Sequence, residues 1–272
     1  MSRKFSLKEL DEQVQKKKSF LCVGLDTDMD KLPIHLAKTP VAFLNFNRQI
    51  IEATSDLCVA YKINTAFYEV LGAKGWELFK QTIDLIPKNI FIIADAKRGD
   101  IGNTSSQYAK AFFEELDVHA ITLSPYMGKD SVTPYFEHKN KWVILLGLTS
   151  NEGAKDFQLE KMKDEKPLYT HVLETASKWG KKENTMFVIG ATKEEEFKRV
   201  REILPEHFLL VPGVGSQGGD MEEVIKLGAT KNGRLLINAS RSILYAGNEQ
   251  DFAAKAREEA FRLKLQMESG FH

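Results

Sequence analysis

Eight short apolar runs constrain the fold of this chain more than any other feature. They are Phe20–Leu25, Cys58–Ile63, Ile90–Ala94, His119–Leu123, Trp142–Leu148, Met186–Gly190, Phe208–Val211 and Leu235–Ile237. Each is rich in Val, Ile, Leu and Phe, as expected for a strand covered on both faces. Their length and the turn residues around them favour strands over buried helix. The segments between them, Val41–Thr54, Trp76–Ile86, Ser105–Leu116, Tyr169–Lys178, Glu194–Leu204 and Met221–Leu227, carry apolar residues at helical spacing. Gly128–Phe136 is a weaker helix, interrupted by Pro134. Pro87, Pro205 and Gly228 act as stop signals. A helix at Leu7–Lys17 precedes the first strand, and one at Gln250–Gln266 follows the last. Strand and helix alternating eight times predict an α/β protein, a closed parallel (β/α)8 or TIM barrel, with an open doubly wound sheet as the runner-up. No repeat, low-complexity linker or domain boundary interrupts residues 1–272, so one domain is expected. In such barrels function collects at the C-terminal ends of the strands.

Composition narrows the partners. Lys plus Arg and Asp plus Glu number 38 each, so no net charge argues for nucleic acid or an anionic membrane. An anionic small substrate must be held by local charge. The chain is 43% hydrophobic and 28% charged, a balance that suits a sizeable core. Cys22 and Cys58 lie in apolar runs and read as buried thiols in a reducing compartment. The first ten residues hold no apolar core of signal-peptide length, and no apolar stretch nears ~20 residues. A cytoplasmic protein that does not cross a membrane is expected. The six histidines form no close pair or HExxH unit. A histidine metal site is therefore not expected, though carboxylate-held Mg²⁺ stays open. No GxSxG elbow is present.

The strongest chemical signal is the run from Ile92 to Thr104, in which an apolar strand passes straight into Asp95-Ala96-Lys97-Arg98-Gly99-Asp100. Asp95 and Lys97 are two apart, so on extended backbone they point to one side. Such a cluster at a strand end is costly to bury unless its charges pair. The alternative is a salt-bridge cluster with Asp100 capping the next helix. Other strand ends carry candidates too. Asp26 follows the first strand, where it would equally serve as a turn or cap residue. Ser150 follows the fifth strand. The glycine-rich Pro212–Asp220 follows the seventh, and Arg241 the eighth. Glycines let backbone N–H groups approach a phosphate, and arginine grips one with a rigid fork of donors. Phosphate sites after strands seven and eight recur in barrels. Gly213–Gly218 also matches GxGxxG, but Asn238, Ala239 and Ser240 end the next strand without the acid that a dinucleotide fingerprint requires.

Asp95-x-Lys97-x-x-Asp100-Ile101-Gly102-x-Thr104 resembles the signature of the orotidine 5′-phosphate decarboxylase family, and Arg98-Gly99 within it looks like the type 2 bacterial subfamily. The resemblance implies conversion of orotidine 5′-monophosphate to UMP without metal or organic cofactor. It implies a Lys62-Asp95-Lys97-Asp100 array around the scissile carboxylate, with Lys97 protonating C6. It places Asp26 and Thr104 on ribose, Ser150 on the pyrimidine edge, and Gln217 and Arg241 on phosphate. Ile101, Pro212 and Ser240 join the substrate-binding set. It further implies a homodimer in which Asp100 reaches the neighbouring subunit's site, and a Gly213–Gly219 loop that closes over substrate. Two departures stand out. Ser240 replaces the glycine that many members carry before the phosphate arginine, and Asn151–Lys166 is a longer loop than in compact members. The competitor within the same barrel group is a Mg²⁺-dependent 3-keto sugar-phosphate decarboxylase, which requires a metal-ligating acid near the second or third strand. A catalytically dead phosphate-binding barrel is the competitor from another class.

Overall fold

The computed structural model describes residues 3–190, 194–213 and 221–271. Its strands are β1 (Leu21–Gly24), β2 (Ala60–Asn64), β3 (Phe91–Arg98), β4 (Ala120–Leu123), β5 (Trp142–Leu148), β6 (Thr185–Ile189), β7 (Phe208–Pro212) and β8 (Leu235–Ala239). They run parallel in chain order around a closed barrel, with β8 pairing back onto β1. Closure excludes the open-sheet alternative. The strands are buried almost throughout, which is why they read as continuous apolar runs and not as alternating ones.

The helices are α1 (Leu7–Lys17), α2 (Pro40–Thr54), α3 (Ala66–Glu69), α4 (Gly72–Leu85), α5 (Gly102–Lys110), α6 (Leu168–Ala176), α7 (Glu194–Ile203), α8 (Met221–Gly228), α9 (Arg241–Leu244) and α10 (Phe252–Met267). Local chemistry sets several boundaries. Ser6 and Glu9 form a reciprocal capping box at the start of α1. Thr39 caps α2, with Pro40 at a position that needs no N–H. Two segments differ from expectation. The helix expected over Ser105–Leu116 is α5 continued by one π-helical turn, Ala111–Glu115. Gly128–Phe136 falls within short 3₁₀ turns, because Gly128 sits at φ 92° and Pro134 lacks a donor. The four-residue α3 and α9 were not legible, being too short to show a helical period.

The lower end of the barrel is an aromatic plug. Trp142 Nε1 donates to the Phe5 carbonyl at 2.7 Å, and Phe91 stacks on His119. His119 Nδ1 accepts from the Ile92 amide at 2.9 Å. Burial, with Lys141 and Arg3 nearby, pushes its pKa down to about 3, so the ring is neutral and structural. Cys22 and Cys58 are buried free thiols. Among the described residues no helix is long and apolar enough to cross a membrane.

Candidate active site

The opposite rim holds a cavity of about 380 Å³. Asp26, Lys62, Asp95, Lys97, Ser150, Pro212, Ser240 and Arg241 all line it, and Phe67, Leu146, Val188 and Leu210 supply apolar wall. Parallel register brings them together. Gly24 pairs with Lys62, Asn64 with Asp95, and Pro212 with Asn238. Residues far apart in the chain thus end at one height.

Four side chains form an unbroken line of alternating charge. Lys62 Nζ lies 3.4 Å from Asp26 Oδ1 and 2.9 Å from Asp95 Oδ2. Lys97 Nζ lies 2.7 Å from Asp95 Oδ1. The Lys62 and Asp95 side chains are 7% and 9% exposed, and that of Lys97 is 49% exposed. Lys97 is therefore the member open to the cavity. Burial alone would raise the Asp95 carboxyl, but Lys62 and Lys97 outweigh it and hold Asp95 well below the usual carboxylate range. Burial likewise works against the Lys62 ammonium, and Asp26 and Asp95 more than offset it, so its pKa is raised.

These shifts define a stability window. A depressed Asp95 contributes stability above the usual carboxylate pKa and loses it as pH falls through the folded value. A raised Lys62 contributes below the usual lysine pKa and loses it as pH rises through the folded value. Lys62→Met, which strands buried carboxylates, should cost about 3–5 kcal/mol near neutral pH. That deficit, measured by urea unfolding, should hold from about pH 5 to 9 and shrink on both sides. A deficit unchanged well below about pH 4 would contradict this account of Asp95.

Lys97 does not lie on extended backbone, as its spacing from Asp95 suggested. Its φ is 47°, in the left-handed region, which costs a non-glycine residue roughly 1–2 kcal/mol. The register of β3 against β4 slips between Ala94 and Arg98, and this irregularity turns Lys97 back toward Asp95. Arg98 turns away from the cavity. It pairs with Glu69 and lies over the rings of Tyr108 and Phe112.

Ser240 resolves one of the departures. Its hydroxyl donates to Asp26 Oδ2 at 2.8 Å, while the Asn64 amide donates to Asp26 Oδ1 at 3.3 Å. A Cβ on Gly24 would lie 1.7 Å from Ser240 Oγ and 2.8 Å from its Cβ. Gly24 thus makes room for a serine that tethers Asp26. Gly24→Ala should cost about 1–3 kcal/mol of unfolding free energy. In a Ser240→Gly background the cost should fall below ~1 kcal/mol, a coupling that a double-mutant cycle would read. Equal costs in both backgrounds would refute it.

The second departure, the loop after β5, is anchored to the rim. Gln158 accepts the Thr149 amide at 2.7 Å and donates to the Thr149 hydroxyl at 2.8 Å, directly before Ser150. The Tyr169 amide in turn donates to the Gln158 carbonyl at 2.9 Å.

Asp100, Ile101 and Thr104 do not line this cavity. Asp100 Oδ1 accepts from the Ile101 amide at 2.8 Å. Ile101 is 51% exposed and Thr104 is exposed. Gly102 between them has φ 53°, a conformation that favours glycine. Gln217 and most of the Gly213–Gly219 loop lie outside the described residues. Sequence reasoning missed Thr122, Asn238, Gln158 and the apolar wall. Asn238 was visible only as a polar residue at the end of an apolar strand, and Thr122 lay within one.

Comparisons with known proteins point to one family. The model of the orotidine 5′-phosphate decarboxylase / HUMPS family matches residues 19–256. The chain is 56% identical over 264 residues to an orotidine 5′-phosphate decarboxylase of Christiangramia forsetii, covering 96% of this chain and 97% of the relative. It is similar to the solved structure of Leishmania donovani OMP decarboxylase, with TM-score 0.81, 36% identity, and coverage of 97% and 99%. It also matches Leishmania donovani UMP synthase with TM-score 0.83 and 37% identity, covering 96% of this chain but only 57% of that longer one.

Proposed function

The chain belongs to the orotidine 5′-phosphate decarboxylase / HUMPS family, and from that membership and its rim of paired charges we infer how it acts. It decarboxylates orotidine 5′-monophosphate to UMP, in pyrimidine nucleotide synthesis. The observation that carries the mechanism is the line Asp26–Lys62–Asp95–Lys97 along the cavity.

Loss of CO₂ from C6 breaks the C6–carboxyl bond and leaves its electron pair in an sp² orbital that the ring delocalises poorly. Many decarboxylases bring an electron-sink cofactor to that problem. Here the protein's own fixed charges would do the work. Lys97 Nζ sits beside C6, stabilises the developing carbanion and delivers its proton there, and it recovers a proton through its solvent-open side. Asp95 holds the Lys97 ammonium in place. A preorganised cation needs no rearrangement as charge develops, and each ~1.4 kcal/mol it removes from the barrier gives a factor of ten in rate. Lys62 Nζ pairs with both Asp26 and Asp95, so these carboxylates already have a cation of the protein's own, which supports metal-independent chemistry.

The same reading places Asp26 on the ribose hydroxyls, Ser150 on the pyrimidine edge, and Arg241, Gly213 and Ser240 around the phosphate. Pro212 closes the wall between base and phosphate. The exposed segment bearing Asp100, Ile101 and Thr104 faces a second copy of the chain in a homodimer, where Asp100 completes the partner's array. Exposed Tyr126 and Met127 follow the adjacent β4 and suit the same interface. Two buried free thiols fit a reducing compartment, and we place the protein in the cytoplasm.

The test is the ultraviolet absorbance of orotidine 5′-monophosphate with purified protein in excess EDTA. Loss of substrate absorbance with stoichiometric UMP and CO₂ is expected. No change in a folded sample would sink the reading, and turnover of a keto sugar phosphate only with Mg²⁺ would replace it.

A further inference from the structure

We infer that Thr122 is a positioning residue for the decarboxylation, its one hydroxyl setting the place of Lys97 against Asp95. This rests on the role assigned to Lys97 above. Ala94 pairs with Ile121 and Arg98 with Leu123, so Asp95, Ala96 and Lys97 face Thr122 alone. Three residues on one strand against one on the other leave amide groups of β3 without their ladder partners. The Lys97 amide donates instead to Thr122 Oγ1 at 2.9 Å. The Thr122 hydroxyl donates to Asp95 Oδ1 at 3.0 Å, and Lys97 Nζ donates to the same oxygen at 2.7 Å. The three bonds close a ring through the backbone and side chain of Lys97, with the Thr122 hydroxyl as its hub.

That hydroxyl has one proton and lone pairs to accept with. The proton is committed to Asp95 and an acceptor site to Lys97, so the direction of both bonds is set. Thr122 is fully buried. Its strand neighbours Ile121 and Leu123 are apolar, so barrel packing alone would be met by valine. What the hydroxyl adds is a bond to the amide of a residue at φ 47°. Without it, the Asp95–Lys97 segment is free to relax toward regular strand geometry and carry the ammonium off its mark.

The experiment compares wild type, Thr122→Val and Thr122→Ser in steady-state turnover of orotidine 5′-monophosphate and in equilibrium UMP binding. Thr122→Val keeps the shape and removes the hydroxyl. Its kcat should fall about 10- to 100-fold, the scale of an ångström misplacement of a reacting group, with UMP affinity within about threefold. Thr122→Ser restores the hydroxyl and should keep kcat within about threefold of wild type. A folded Thr122→Val with near-normal kcat overturns the proposal. So does an equal loss in Thr122→Ser, or a loss matched in UMP affinity. Should Thr122→Val not fold, Thr122→Ala takes its place with the same expectations. If neither folds, the residue is a stability element and the proposal fails. An inactive wild type would instead sink the functional reading itself.

Discussion

Lys97→Ala should lower kcat by about 10⁴-fold or more while leaving the protein folded. Two effects are lost together. Proton delivery by a positioned acid contributes about 10²–10⁴-fold, and a preorganised charge at a developing anion about 10²–10³-fold. Stability should change much less than in Lys62→Met, because half of the Lys97 side chain is exposed and solvent screens its side of the pair. Asp95 keeps its bonds from Lys62 and Thr122. Single-turnover release of CO₂, with urea unfolding as control, reads both halves. Turnover within about tenfold of wild type would remove Lys97 from the mechanism. A collapse in stability would show that Lys97 supports the fold more than the chemistry.

The second large effect is recovery of activity from two inactive proteins. Asp100→Ala should be nearly inactive, although Asp100 does not line its own protomer's cavity. Mixed with Lys97→Ala under conditions that exchange subunits, it should regain about a quarter of wild-type activity. In a two-fold dimer with shared sites, half of the pairs are then mixed, and each of these has one site of two intact. Lys62, Asp95 and Lys97 come together within one protomer, so Asp100, the fourth charge of the array, is what the partner would bring. No recovery despite subunit exchange would confine each site to one chain. An Asp100→Ala enzyme with ordinary turnover would remove Asp100 from the array.

Both predictions rest on residues visible in the sequence, because the charged run Asp95–Asp100 begins just where an apolar run stops. A barrel strand is buried on both faces, so its apolar run marks it. Barrel closure then turns every strand end into a rim position. Lys62, Asp95 and Lys97 were legible in that way, as were Asp26, Ser150 and Arg241. Helices α1 and α2 were legible from the spacing of their apolar residues, and the structure adds the caps at Ser6 and Thr39.

Other features depended on contacts that local sequence does not encode. Arg98 sits in the same charged run as Lys97, yet it turns to Glu69 while Lys97 turns inward. The irregular register between β3 and β4 separates them, and register is a property of two strands together. Thr122 was hidden inside an apolar run because its role exists only opposite that irregularity. Gly24 and Ser240 accommodate each other only because β8 closes onto β1. The sequence by itself determined the eight-fold alternation and the chemical groups at the strand ends, since burial and periodicity act over short range. The tertiary structure alone decided which of those groups face the cavity, what holds each in place, and which lie outside one protomer's site, since closure and cross-strand register join parts of the chain that no local pattern relates.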